Sequence, residues 1–226
     1  MAPSTERAAT ATAPLLVKPT LRGVIHHWSA VAAFGAGIIL VAMAPTARAA
    51  VAAGVYALSV CTLLTVSAVY HRPMWQPKPR AFMKRLDHAA IFVLIAGTYT
   101  PLCRLGLPEA VGSRLLFWVW LAAALGVLQS IFWVHAPKPV TSALYLFVGW
   151  TVAPYFGAVR DALSPAQLAL LIGGGVVYSL GAVTYAARRP NPVPGVFGYH
   201  EVFHAMTVLA CGLHYALVAG LVRAAG

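Results

Sequence analysis

The sequence predicts an all-α integral membrane protein, a seven-transmembrane helix bundle with its N-terminus cytoplasmic and its C-terminus outside. Composition points there first: of 226 residues, 60% are hydrophobic and 9% charged, with a mean hydropathy of +0.78. A soluble domain carries about 25% charged residues. Length of run comes second, because seven apolar stretches each reach the roughly 20 residues that a helix needs to cross the hydrocarbon core. The third observation is that the basic residues fall in the short gaps between those stretches, and fall unevenly.

The first 22 residues are polar, basic and rich in Ala, Thr and Pro, and read as a disordered cytoplasmic N-terminal tail. So long a polar lead argues against a signal peptide cleaved near Ala47-Arg48-Ala49. The apolar runs then follow at 23–43, 50–71, 86–106, 113–134, 140–159, 166–187 and 200–222, forming one transmembrane domain over 23–226. Helix breakers part them in order: Ala44-Pro45-Thr46, the Pro-rich run from Arg72 to Arg80, Leu107-Pro108, Pro137-Lys138-Pro139, Ser164-Pro165, and the three prolines between Arg189 and Gly195. Within the third run, Gly97-Thr98-Tyr99-Thr100-Pro101 predicts a kink. In the sixth, Gly173-Gly174-Gly175 predicts close helix approach and no phosphate loop.

Sixteen Lys and Arg against five Asp and Glu give a formal charge of +11. In a soluble chain that would suggest nucleic acid; distributed over membrane loops it is a topology signal, and no nucleic-acid partner is expected. Arg7, Lys18, Arg22, Arg72, Lys78, Arg80, Lys84, Arg85, Lys138, Arg188 and Arg189 lie on one side, and Arg48, Arg104, Arg114, Arg160 and Arg223 on the other. The positive-inside bias therefore sets the orientation. Cys61, Cys103 and Cys211 lie singly in apolar runs and form neither a disulfide framework nor a thiolate metal site.

That topology places seven of the eight histidines at cytoplasmic helix ends and leaves His214 alone near mid-membrane. Asp87 and Glu201 stand beside them, and ionisable groups at membrane depth point to a functional site. In Gly198-Tyr199-His200-Glu201-Val202-Phe203-His204 the two histidines share one helix face, about 6 Å apart along the axis. His71 reaches the same depth from the second run with Ser67 one turn deeper, and Asp87 opens the third. Three imidazoles and a carboxylate at one depth suit zinc, with Asp87 either binding the metal or holding its water. A lone interfacial histidine is more often a snorkelling or carbonyl-bonded side chain, so His26, His27, His88 and His135 are not assigned as ligands. His214 is expected to pack or hydrogen-bond within the bundle. Glu201, about 100° around the helix from His200, is expected to face headgroups or pair with a nearby Arg.

Ser67-x-x-x-His71, Leu86-Asp87-His88-Ala89-Ala90-Ile91 running into Ala96-Gly97-Thr98-Tyr99-Thr100-Pro101, Gly174-Gly175-Val176-Val177-Tyr178-Ser179-Leu180-Gly181, and His200-x-x-x-Phe203-His204 followed by His214 resemble the haemolysin III proteins. These are the bacterial branch of the progestin and adipoQ receptor superfamily, related to adiponectin receptors. The resemblance implies one zinc ion near the cytoplasmic face, held by His71, His200 and His204, with Asp87 acting through the zinc-bound water and Ser67 as the motif serine. It implies a multi-pass protein of the bacterial inner (plasma) membrane. Because receptors of this superfamily hydrolyse the amide of ceramide, it also implies a zinc-dependent lipid hydrolase acting on membrane lipids. With 22 residues ahead of its first apolar run, the sequence is not expected to carry the receptors' long N-terminal domain, and it has Glu201 inside the HxxxH segment. Against the hydrolase stand a structural-zinc regulator of lipid homeostasis or a cytolysin without turnover, and a haem protein using histidine pairs. The cytolysin is physically awkward, since seven obligate spans leave no soluble state.

Overall fold

The computed structural model describes residues 18–226. It contains α1 (Val24–Ala42), α2 (Ala47–His71), α3 (Pro77–Pro101), α4 (Glu109–Phe132), α5 (Lys138–Gly149), α6 (Phe156–Ala162), α7 (Pro165–Ala187) and α8 (Tyr199–Arg223). A π-helical turn, Leu102–Gly106, extends α3, and a 3-10 turn, Ala153–Tyr155, joins α5 to α6. The described residues thus form seven spans long and apolar enough to cross a membrane, with α5 and α6 making one of them, and no β-strand. The expected tail over 1–22 lies outside the described residues as far as residue 17. From residue 18 the chain runs along the α7–α8 loop, where the Thr20 and Leu21 amides donate to the Gly195 and Val196 carbonyls at 3.1 and 3.3 Å.

Two elements depart from the sequence reading. The third helix begins at Pro77, nine residues before the expected 86. The Pro-rich run behaves here as a helix start: Gln76 is extended, as a residue before proline must be, and Pro77 and Pro79 fall where helical N–H groups have no partner. The Arg80 amide makes the first turn's bond, to the Gln76 carbonyl at 2.9 Å. The fifth span is interrupted. Ahead of Pro154 the backbone tightens, and Ala153 N donates to Trp150 O at 2.9 Å, so the Gly149 carbonyl loses its helical donor. Tyr99 repairs the gap from α3: its hydroxyl donates to Gly149 O at 2.6 Å and accepts from Val152 N at 3.2 Å. Irregular backbone at membrane depth is tolerated only with such a protein partner.

Neighbours in sequence pack side by side, α1 on α2, α2 on α3, α3 on α4 and α7 on α8, and α1 also meets α8. One apolar core joins Phe92, Leu115, Val119, Tyr145 and Leu217; a second joins Leu40, Tyr56, Leu64, Leu94 and Val218. Only α3 and α8 feature among these buried residues in both, so they form the inner wall. α2 and α3 approach so closely that a Cβ on Gly97 would lie 2.1 Å from Ser59 Oγ. Outward, Trp28, Phe34, Leu58, Phe117, Leu125, Phe147, Val183 and Leu209 are exposed. So extensive an apolar exterior suits lipid and not water.

Candidate metal centre

The centre is assembled at the end of the bundle where α1 and α8 begin and α2 finishes. His71 is the last residue of α2, Ser67 lies one turn before it, Asp87 sits on α3, and His200 and His204 occupy the first two turns of α8. All five are buried. His71 Nε2 stands 3.2 Å from His200 Nε2 and 3.5 Å from Asp87 Oδ2. One ring nitrogen from each of His71, His200 and His204 falls within 4.8 Å of the others. The structure therefore brings together the three histidines and the aspartate that the depth argument selected, with Ser67 lining the same cavity.

The donor set fits a zinc ion. Ligands at about 2.0–2.1 Å from zinc in a tetrahedron lie about 3.3 Å apart, close to the His71–His200 and His71–Asp87 separations. Two facing imidazole nitrogens can share one hydrogen; a third beside them leaves lone pairs converging, which a cation satisfies. Bringing His204 in requires only a small closure, because its nitrogen already lies within 4.8 Å.

Sequence reasoning missed the surroundings that hold this set. His26, expected at the interface, is 2% exposed. Its ring stacks on His204 with centroids 3.8 Å apart and planes at 12°, and neither ring nitrogen has a hydrogen-bond partner among the described residues. It is not one of the three converging histidines. Gly23, at φ +76°, lets the chain turn into α1 against His71, where a Cβ would come within 2.8 Å of His71 Cβ. Of the two alternatives for Glu201, headgroups or a nearby Arg, the structure shows the second. Glu201 is fully buried and forms an ion pair with Arg22, while its second oxygen accepts from the Gly198 amide at 2.8 Å and caps α8. Arg22 comes from the chain just before α1, 179 positions away, a pairing no local spacing announces.

The other histidines lie apart from the centre. His27 and His135 are exposed, and His88 is half-buried on the cavity wall. His214 Nε2 meets the Leu171 carbonyl at 3.3 Å, and its ring fills the space that a Cβ on Gly174 would take. This is the packing role expected of both residues.

A cavity of about 600 Å³ opens beside the centre and runs into the bundle past Ile91, Leu94, Ile95 and Phe203 to His214. His214 is ten residues beyond His204, about 15 Å deeper along α8. The fold is thus a seven-span membrane bundle whose buried histidines and aspartate sit on the wall of a largely apolar chamber.

That class has a family. A model described as haemolysin-III related matches residues 15–215, and the chain belongs to that family. The chain is 33% identical to Hemolysin-3 of Bacillus cereus over 165 residues, 72% of this chain and 75% of the relative. It is 30% identical to the Hemolysin-3 homolog of Bacillus subtilis (strain 168) over 154 residues, 68% and 69% of the two. The monocyte to macrophage differentiation factor of Homo sapiens is 24% identical over 172 residues, covering 73% of this chain and 68% of that one.

Proposed function

We propose that this multi-pass membrane protein is a zinc-dependent hydrolase of a lipid amide or ester, ceramidase-like in chemistry, working in the bacterial inner membrane with its histidine end toward the cytoplasm. The observation that carries the reading is the convergence of three imidazole nitrogens and the Asp87 carboxylate on the wall of a chamber able to take an acyl chain.

His71, His200 and His204 would hold the ion through ring nitrogens. When bound, zinc supplies an acidified water and polarises a carbonyl. Asp87 Oδ2 takes a proton from the attacking water and returns it to the leaving amine or alcohol. Ser67, one turn deeper, orients the Asp87 carboxyl with its hydroxyl. Ile91, Leu94 and Phe203 line the way for the acyl chain and keep bulk water from the reacting carbonyl.

One observation favours a second reading. The 3.5 Å between Asp87 Oδ2 and His71 Nε2 is also the spacing of two ligands on one ion. Asp87 as fourth ligand would close the site, as structural zinc sites are closed, and the protein would then be a regulator of lipid homeostasis or a cytolysin without turnover. Metal content and fatty-acid release decide between them, measured on purified wild type, Asp87→Ala and His204→Ala with ceramides, N-acyl amides and phospholipids. The hydrolase reading expects one zinc in wild type and Asp87→Ala, turnover lost in Asp87→Ala, and zinc lost in His204→Ala. An inert wild type with zinc bound, and zinc lost from Asp87→Ala, would establish the structural reading instead.

A further inference from the structure

The mouth of the cavity is strongly basic. Lys18, Arg22, Arg80, Lys84 and Lys138 all line it, and among the described residues the one carboxylate on its wall is Asp87. Arg22 is taken up by Glu201; none of the other four forms an ion pair among the described residues. Lys138 is held in place: its ammonium donates to Tyr199 Oη at 2.6 Å and stands over the Tyr185 and Tyr199 rings at 4.3 and 4.6 Å. Lys84 is half-buried on α3, one turn before Asp87, within electrostatic reach of Lys138 and Arg80. Lys18 donates to the Arg72 and Pro73 carbonyls, both at 3.2 Å. Burial, then the guanidiniums of Arg22, Arg80 and Arg72, hold its pKa below the ordinary lysine value.

Setting the membrane orientation requires basic residues only in the loops. It does not require lysines half-buried on a cavity wall or fixed over tyrosine rings. Like charges gathered there repel one another and destabilise the fold, a cost that an anion entering the mouth would reverse. Lysine and arginine serve phosphate as charge and donor, and basic pockets between transmembrane helices receive phosphorylated headgroups.

From this arrangement we propose that the lipid entering this cavity carries a phosphate headgroup, bound by Lys18, Arg80, Lys84 and Lys138 while its acyl chain lies along the chamber. The proposal rests on the reading of the chamber as an acyl-chain site and names the class of lipid it takes. A phosphate monoester on a diacylglycerol is the simplest such ligand.

The test is a binding titration of the full chain in detergent micelles, with phosphatidic acid and diacylglycerol of identical chains and glycerol 3-phosphate as competitor. Phosphatidic acid is expected to bind wild type about tenfold or more tightly than diacylglycerol, and Lys84→Gln/Lys138→Gln to weaken it about 30-fold. That double variant should bind diacylglycerol as wild type does, which reports that it is folded. Lys78→Gln/Arg189→Gln removes two exposed charges outside the cavity and should keep the preference. Equal affinity for the two lipids overturns the proposal, as does an equal loss in both double variants, which would mark general surface charge. Displacement of phosphatidic acid by equimolar glycerol 3-phosphate overturns the lipid as ligand in favour of a soluble phosphate. Wild type inert toward every amide and ester, yet preferring phosphatidic acid, leaves this proposal standing and removes the hydrolase; turnover of neutral lipid without the preference does the reverse.

Discussion

Replacing Arg22 by alanine should cost more than its position in a surface segment suggests. Its partner Glu201 has a side chain with 0% exposure, while Arg22 itself is 20% exposed. Arg22→Ala would leave a carboxylate sealed in the protein with the Gly198 amide as its remaining donor, and stranding one partner of a buried pair costs about 3–5 kcal/mol. Glu201→Gln is milder, because the amide oxygen still accepts from Gly198 and the guanidinium can reach water; the loss of one charged hydrogen bond costs about 1.5–3 kcal/mol. Combining the two removes the stranded charge, so the double variant is expected to be more stable than Arg22→Ala alone. Equilibrium unfolding in mixed micelles under increasing SDS, followed by tryptophan fluorescence, measures all three. If the effects simply add, or if Arg22→Ala costs less than about 1 kcal/mol, Glu201 is not the stranded charge that the geometry implies. The pair anchors the chain just before α1 to the first turn of α8, so under the proposed zinc reading the same variant should also retain less metal.

Two further outcomes follow from contacts that bridge helices. Tyr99→Phe leaves the Gly149 carbonyl and the Val152 amide without the hydroxyl that serves both, and should destabilise by about 1–3 kcal/mol in the same unfolding assay; an unchanged midpoint would mean that the interrupted span repairs itself. His26→Ala removes the ring under His204 and, if His204 holds zinc as proposed, should weaken zinc binding about tenfold or more, the usual effect of losing a group that orients a ligand. His26→Phe keeps a flat ring there and should restore most of the affinity, whereas equal loss in both variants would make His26 itself a ligand.

The seven spans were legible because lipid imposes a length that sequence must meet, and six of them begin and end within about a turn of the expected residues. The third did not, because prolines after Arg72 read as a break until Pro77 and Pro79 are seen to fall on unused N–H positions. The interruption within Lys138–Ala162 was invisible to hydropathy, whose average across the break remains apolar; its stabilising hydroxyl belongs to another helix. At the centre, His200 and His204 were fixed by a helical spacing of four, and His71 and Asp87 by arriving at the same depth. His26 satisfied that depth rule as well, but stacking between α1 and α8 has no period along either helix. The Arg22–Glu201 pair was legible only in part: the angle placed Glu201 away from His200, and an arginine partner was one of two alternatives.

Because α3 is an inner wall, it is a poor lodger in bare lipid. The apolar window of Pro77–Gly106 has a mean hydropathy of 1.4 with 61% of it enclosed by protein, against 2.0 and 28% for that of Glu109–Phe132. The first half of α3 carries Lys84, Arg85, Asp87 and His88. Charged groups of this kind are costly against hydrocarbon and tolerable beside protein or a wet cavity. The free energy that keeps α3 across the bilayer therefore comes in large part from its neighbours: α2, already made, through the close approach at Gly97, and α4, which the ribosome delivers next. The third span depends for its settled position on the second and the fourth, so a chain interrupted before α8 would already have the surfaces against which α3 comes to rest and would lack only the His200–His204 pair that faces Asp87.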